Sequence, residues 1–491
     1  MKKLSILFSL VLVFLSCEKK VEEKISPKPN ILFIFADDQR ADALGIAGNP
    51  NLKTPNIDAL AKRGTRFTNA YVMGGNHGAI CAASRAMLMS GKGLFRVLDK
   101  LEGEHTMPMH FAAHGYTTFG TGKWHNERSA FEQSFQHGTN VFLGGMANHY
   151  SISLRDMTEA DTLSAPENKG YSTDLFTSSA IDFIEKHVNS GAENPFFAYV
   201  SFTVPHDPYS PREDFIDRYS PDEIKLPENF LPLHPFQFDQ LNIRDENLLA
   251  WPRDPEKVKA VLADYYALIT HLDTQVGTLI ETLKRLGQYD NTIIVYAADN
   301  GLAIGSHGLL GKQNMYEHSS KVPMIIAGPG VPENEIQEAY TYLFDLFPTL
   351  AALADLPLPE GIDGVNLVKV MDGNSEGIRG SMFNAYRHTV RSIRKDDWKL
   401  IRYPERDFTQ LFNLKDDPDE LNNLADKPEM APKIEELRAL LLQEQQAAGD
   451  TVAWTAEEIL PLEYDYKRID RFPDRWQPEY TLDKYFSDLE D

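Results

Sequence analysis

Cysteine is nearly absent: the 491 residues contain two, Cys17 and Cys81. No cysteine–histidine spacing suits a zinc site. Long apolar runs are missing from the interior, so no segment there is built to span a bilayer. No internal repeat is visible, which excludes a solenoid array. Positive charge is also short. There are 49 Lys and Arg against 72 Asp and Glu, a net charge of −23. That balance argues against nucleic acid as a partner. It does not exclude an anionic substrate. At 0.1 M salt, surface charge reaches only about 10 Å, so cations inside a cleft decide what it binds.

What is present is ordinary for a globular chain, with 42% hydrophobic and 25% charged residues. The length suits one large α/β domain plus a smaller one. At the start, Lys2 and Lys3 are basic, Leu4 to Leu15 are apolar, and Leu15-Ser16-Cys17 closes the segment. This resembles a bacterial lipoprotein signal with its lipobox, occupying residues 1–17. The resemblance implies a lipidated Cys17 and export to the periplasm or outer membrane. Membrane contact would run only through the lipid. Residues 18–29, rich in Glu, Lys and Pro, then read as a tether. With Cys17 lipidated and Cys81 modified, as proposed below, no disulfide remains, and stability rests on the core.

Asn30 to Ala36 is a continuous apolar run, as expected for a buried parallel strand. Further strands are expected at Tyr116–Gly120, Pro195–Phe202, Asn291–Ala298 and Val322–Ala327. Asn56 to Arg63 reads as a helix capped by Gly64, and about Glu256 to Leu286 as a long amphipathic helix closed by Gly287. This alternation predicts an α/β fold, a mostly parallel sheet with helices on both faces, over residues 30–375. After that the texture changes. Val390–Arg394 and Trp398–Tyr403 alternate like an antiparallel hairpin, Gln410–Leu414 adds a strand, and Met430–Ala447 a helix. Residues 376–491 are therefore expected to form a smaller α+β subdomain, with a tail from Asp450 that wraps the surface.

Chemistry-bearing residues follow the carboxyl ends of the apolar strands, where ligands bind in open α/β sheets. Asp37-Asp38 follows the first strand, Lys123-Trp124-His125 the strand near Gly120, His206 comes after Phe202, and Asp299-Asn300 follows Ala298. Asp37, Asp38, Asp299 and Asn300 offer hard oxygens suited to Ca²⁺ or Mg²⁺. Three clustered carboxylates need a cation or protons to coexist. Cys81 falls at the expected first turn of a helix, with Arg85 four residues on.

These segments together resemble the type I sulfatases. Cys81-Ala82-Ala83-Ser84-Arg85, with Gly91 downstream, is similar to that family's maturation signature. Asp37-Asp38-Gln39-Arg40, Thr54 to Ala61, Gly122-Lys123-Trp124-His125, Pro205-His206 and Asp299-Asn300-Gly301 follow in the family's order. His307-Gly308, Gly311-Lys312, Tyr316-Glu317-His318, Val322-Pro323, Leu411 to Leu414, Asp417-Pro418 and Glu420 to Leu424 continue it. The match covers about residues 30 to 425.

The resemblance implies an alkaline phosphatase-like fold and a sulfuric ester hydrolase. It implies that Cys81 is oxidised to formylglycine, whose hydrate attacks sulfur. Asp37, Asp38, Asp299, Asn300 and the modified Cys81 would bind calcium, in preference to magnesium. Arg85 would stabilise the hydrate, and Lys123, His125, His206 and Lys312 would surround the sulfate. His206 or Lys312 would protonate the leaving oxygen, and His125 would take a proton as sulfate departs. Ala83 stands where many relatives have Pro, which points to an anaerobic radical maturase. The stretch from Met73 to Gly91 with Thr118 to His125 is similar to sulfatases of marine polysaccharide-degrading bacteria, with ulvan ahead of carrageenan as substrate. Arg40, His77, His149, Arg387 and His388 are candidate specificity residues, His77 and Arg387 foremost. Trp124 is expected to pack. Competing readings are a phosphodiesterase or phosphonate hydrolase of the same superfamily, and an inactive glycan-binding homologue.

Overall fold

The computed structural model describes residues 28–373 and 378–486. The signal and lipid-anchor readings around Cys17 lie outside the described residues. Eight strands build the main sheet: β1 (Asn30–Ala36), β2 (Gly64–Phe67), β3 (Thr117–Lys123), β4 (His137–Phe142), β5 (Phe196–Ser201), β6 (Thr292–Ala298), β7 (Met324–Ala327) and β8 (Glu335–Gln337). Their spatial order is β8-β2-β7-β6-β1-β5-β3-β4. Every pairing is parallel except those of β7, which runs antiparallel to β6 and β2.

β1 lies at the centre, paired with β6 on one side and β5 on the other. Its seven residues are all buried. Side chains alternate across a strand, so Ile31, Phe33 and Phe35 enter one core and Leu32, Ile34 and Ala36 the other. That is why the run is apolar throughout. Helix α1 (Pro55–Arg63), α3 (Ser172–Asn189) and α4 (Pro255–Arg285) pack into the second core, through residues such as Ile57, Phe176 and Leu268. Helix α2 (Ile80–Ser90) packs into the first, through Ala83, Met87 and Leu88. The Asp254 side chain caps α4 by accepting from the Glu256 and Lys257 amides, and Pro255 occupies the first turn.

The smaller sheet holds β9 (Met382–Tyr386), β10 (Val390–Lys395), β11 (Trp398–Tyr403) and β12 (Phe408–Asn413), all antiparallel in sequence order. Helix α5 (Ala431–Ala448) lies against it. The expected hairpin and helix are there. The sheet also takes a parallel two-residue strand, Gly74–Gly75, from just before α2. Gly74 has φ +118, and a Cβ there would lie 1.9 Å from the Ala385 carbonyl oxygen. Helix α2 is thus tied to both sheets.

The tail wraps the surface and is pinned. Arg391 pairs with Asp450 at 2.6 Å, the Leu460 amide donates to the Glu405 carbonyl at 2.8 Å, and Lys484 pairs with Asp264. Among the described residues, no helix is long and apolar enough to cross a membrane.

Candidate active site

β1, β3, β5 and β6 deliver polar residues to one edge of the sheet. β3 extends to Lys123 itself, three residues beyond the expected end at Gly120. Gly122 makes this possible. Its φ is +84, and a Cβ would sit 1.8 Å from the Ser201 carbonyl oxygen. Glycine lets β3 lie against β5 there, which brings the Lys123 carbonyl and Ser201 Oγ together. Both accept from Arg85 Nη1, at 2.8 and 2.5 Å. Asp38 and His125 turn their chains sharply, with φ of 63° and 62°, a conformation that costs free energy and collects at functional sites.

Cys81 is the second residue of α2, whose first turn has no side-chain cap. Lys312 Nζ lies 2.9 Å from Cys81 Sγ and donates to Asp38 Oδ1 at 2.6 Å. Asp38 Oδ1 is 3.5 Å from the same sulfur and also accepts from Asn300 Nδ2. Lys123 Nζ donates to Asp37 Oδ2 at 2.6 Å. Arg85 donates to Asp299 Oδ2 at 2.9 Å, and Asp299 Oδ1 accepts the Asp38 amide at 3.0 Å. Three carboxylates and three cations are interleaved, all buried. Arg85 shares a helix with Cys81 as expected, but its charge is held by Asp299.

The two histidines differ. Burial and the cations Lys123, Arg85 and Lys312 push His125 well below its ordinary pKa. Burial would also lower His206, but the Asp38 and Asp207 carboxylates outweigh it and raise its pKa. His206 Nδ1 lies 3.1 Å from Asp207 Oδ1, and its Nε2 lies 3.5 Å from Asp38 Oδ2. One imidazole is prepared to accept a proton and the other to give one. Burial, with Asp299 and Asp38, raises the Cys81 thiol well above its usual value. A thiol kept neutral is a poor nucleophile.

A hard divalent cation fits the donors. Asp37 Oδ1 and Asn300 Oδ1 are buried without a hydrogen-bond partner. Donor atoms of Asp37, Asp38, Cys81 and His206 all lie within 4.8 Å of one another. Burial and the Asp299 carboxylate push Asp37 up to about 6, the sign of negative charge packed too closely. Oxygen donors of this kind suit calcium or magnesium rather than zinc.

The pocket above the sulfur has a volume of about 240 Å³ and is lined by Cys81, His125, His206, Arg244, Lys312 and Gln313 among others. Arg244 and Gln313 are additions that motif reading missed, as is Asp207. Asp207 adjoins His206 in Pro205-His206-Asp207-Pro208, a signal that was available. Arg244 opens a short 3-10 helix, Arg244–Leu248, with none.

The five specificity candidates scatter. Arg40 is buried away from the pocket, paired with Asp42 at 2.7 Å and donating to the Ala303 carbonyl at 2.7 Å. His149 is buried one layer back, with Nε2 3.0 Å from the His206 carbonyl oxygen. His77 pairs with Asp99 beside the pocket residue Gly78. Arg387 and His388 are exposed on the turn after β9, where His388 lies 3.4 Å from Glu405. Arg387 follows Tyr386, whose electrostatic neighbours include Lys312. Trp124 is buried and donates to the Glu127 carbonyl at 2.9 Å, a packing role.

Cations fixed at depth around a nucleophile position are what an enzyme for anionic esters needs, and that is the class the fold and site define. The family profile described as "Sulfatase" matches residues 29–356, and one described as "N-sulphoglucosamine sulphohydrolase, C-terminal" matches residues 305–447. An ulvan-active sulfatase of Formosa agariphila is 30% identical over 471 residues, covering 90% of this chain and 87% of its own. A structure solved in complex with its substrate D-glucosamine-2-N,6-O-disulfate superposes with a TM-score of 0.74 at 24% identity, over 88% of this chain and 100% of that one. The phosphonate monoester hydrolase of Agrobacterium radiobacter shares the fold, with a TM-score of 0.69 at 21% identity over 86% of this chain and 96% of that one. The chain belongs to the sulfatase family, with the alkaline phosphatase-like fold expected from its motifs, and is a sulfuric ester hydrolase.

Proposed function

We propose that the protein removes sulfate from a sulfated carbohydrate, an algal polysaccharide or its oligosaccharides, with ulvan placed ahead of carrageenan. Cys81, matured to formylglycine, is the nucleophile, and calcium is the resident ion. The observation that carries this reading is the position of Cys81: its sulfur lies at a helix start, 2.9 Å from Lys312 Nζ, in a pocket with His125 and His206. The ulvan-active relative supports the substrate class.

Asp37, Asp38, Asp299, Asn300 and the modified Cys81 would hold the calcium, which supplies positive charge to orient and activate the attacking oxygen. Formylglycine at position 81 would supply, in its hydrated form, a hydroxyl to attack sulfur and a second that would let sulfate leave. Arg85, fixed by Asp299 and Ser201, keeps a charge beneath residue 81. Lys123 and Lys312 hold sulfate oxygens. His206, oriented through Nδ1 by Asp207, gives its proton to the departing sugar oxygen. His125, neutral and with Nδ1 unpartnered, takes the proton released at residue 81. Lys312 is the weaker choice for the acid, because Asp38 holds its ammonium.

The division into a catalytic domain over residues 30–375 and a C-terminal subdomain with its tail over 376–491 is part of the same proposal, as is lipid anchoring through Cys17. Incorporation of labelled fatty acid, lost in Cys17→Ala, tests the anchor. The activity is tested with protein matured in a host that makes formylglycine, assayed on defined sulfated oligosaccharides and on phosphonate and phosphate diesters. We expect an aldehyde in place of the thiol by intact mass, release of sulfate, and no turnover in a folded Cys81→Ala. Faster turnover of the phosphorus esters would replace this reading with a phosphonate hydrolase, and full activity in Cys81→Ala would end it.

A further inference from the structure

The structure holds a second concavity, of about 260 Å³. It is lined by Trp251, Tyr466, Lys467, Arg471 and Phe472 among others. Two stretches of chain link it to the pocket. In the segment 244–251, Arg244 and Asp245 line the pocket, while Asn247, Leu249, Ala250 and Trp251 line the groove. In the tail, residues from Tyr466 to Pro473 line the groove. A few residues on, Asp474 accepts from Arg244 Nε at 3.0 Å, and Gln477 donates to Asp207 Oδ2 at 2.6 Å. The groove and the pocket therefore share two supporting stretches of chain.

Its surface is aromatic and cationic in a chain of net charge −23. Phe472 is 75% exposed, so its ring contributes little to the core. The Arg471 guanidinium lies 3.7 Å from the centroid of the Trp251 ring. Arg471 Nη1 and Trp251 Nε1 are buried donors without a hydrogen-bond partner, while Arg471 Nε donates to Asn247 Oδ1 at 3.0 Å. The nearby carboxylate, Glu246, is occupied: it accepts from Arg253 and from the Leu310 and Gly311 amides. Burial and the Arg253 charge pull Arg471 down to about 9, with Glu246 opposing the shift. Lys467 adds an exposed ammonium.

Aromatic rings accept the apolar faces of sugars, and guanidinium or ammonium groups accept sulfate or carboxylate oxygens. We infer that this groove binds the anionic sugar residues flanking the one being desulfated, so that the enzyme grips a chain rather than a lone sulfated sugar. This rests on the carbohydrate reading above. It adds a binding subsite built by the C-terminal tail.

The test is the double variant Phe472→Ala/Lys467→Ala. Phe472 is largely exposed and the Lys467 side chain is at the surface, so the melting temperature should stay close to the parent's. Two measurements are made. The first is kcat/KM for sulfated oligosaccharides of ulvan and carrageenan relative to kcat/KM for 4-nitrophenyl sulfate, which is too small to reach the groove. The second is calorimetric binding of the same oligosaccharides to folded Cys81→Ala with and without the two changes. We expect the kinetic ratio to fall about tenfold and binding to weaken by a similar factor. Glycan binding that responds to the variant in a protein with no sulfate-ester turnover would support the groove and refute the proposed activity. Turnover of sulfate esters with the ratio and the binding both within twofold of the parent would overturn the groove and leave the activity standing. Failure of the parent to bind either glycan would also overturn it.

Discussion

The Lys312 ammonium lies 2.9 Å from the sulfur of Cys81. One cation thus touches both the nucleophile position and, at 2.6 Å, the Asp38 carboxylate. Lys123 makes the equivalent contact with Asp37 at 2.6 Å. In the mechanism proposed above, each lysine would follow negative charge onto the sulfate.

Lys123→Ala and Lys312→Ala should each lower kcat/KM for a sulfated substrate by two or more orders of magnitude, about 3 kcal/mol or more of transition-state stabilisation. Steady-state kinetics with correctly matured protein measures this. A change within twofold would show that the lysine does not touch the reacting group.

The carboxylate cluster should be stabilised by calcium. At a free concentration of 100 times Kd, ion binding to the folded state adds about 2.7 kcal/mol. Melting temperature should therefore rise with added calcium and fall with EDTA, and Asp38→Ala should lose most of that response. A melting curve indifferent to both calcium and EDTA, under conditions that strip tight sites, would refute the metal assignment.

Gly122 should be irreplaceable. Gly122→Ala puts a Cβ 1.8 Å from the Ser201 carbonyl oxygen at a φ of +84, which requires β3 and β5 to separate. Destabilisation should exceed the roughly 1–3 kcal/mol of a strained backbone alone. Gly170→Ala, where no atom lies within 4 Å, serves as the control and should be close to neutral. Equal melting temperatures for the two variants would contradict the close approach seen here.

Acid should destabilise the protein partly through His234. Burial holds its folded pKa down at about 4, against the pull of its hydrogen bond to the His307 carbonyl. The unfolded value is about 6.5. A depressed folded pKa contributes stability that is complete above the unfolded pKa and is lost as pH falls from about 6.5 toward 4. The slope is about 1.4 kcal/mol per pH unit for one proton. Denaturant melts at pH 7 and pH 5 should differ less in His234→Asn than in the parent. An unchanged difference would mean that His234 does not carry this term.

The proposed metal ligands were legible because β1 and β6 are buried on both faces. Such strands appear as unbroken apolar runs, and the residues just past them stand out. Lys123 was expected after a strand ending at Gly120, yet the chain uses a positive φ at Gly122 to extend the strand to it. Helix α3 was invisible for a different reason. It buries Ser172, Thr173, Thr177 and Ser179 together with Phe176 and Ile184, so hydroxyl residues blur its apolar stripe. The Arg244–Asp474 contact that helps support the pocket region was beyond reach of sequence. Arg244 and Asp474 are 230 residues apart and meet only because the tail returns, and no local pattern encodes that return.

The central position of β1 sets a waiting time. Ile34 pairs with Tyr296, which leaves the ribosome 262 residues later. At about 5–20 residues per second, that is roughly 13–50 s during which a strand buried along its whole length lacks one of its neighbours. Phe197 and its strand arrive sooner and can cover one edge, but the other stays open until β6 emerges. A nascent chain stalled before Thr292 should leave Asn30–Ala36 accessible to protease and to chaperones, and one stalled well past Ala327 should not. For this architecture the vulnerable interval falls during synthesis, and its length is written into the order of the strands.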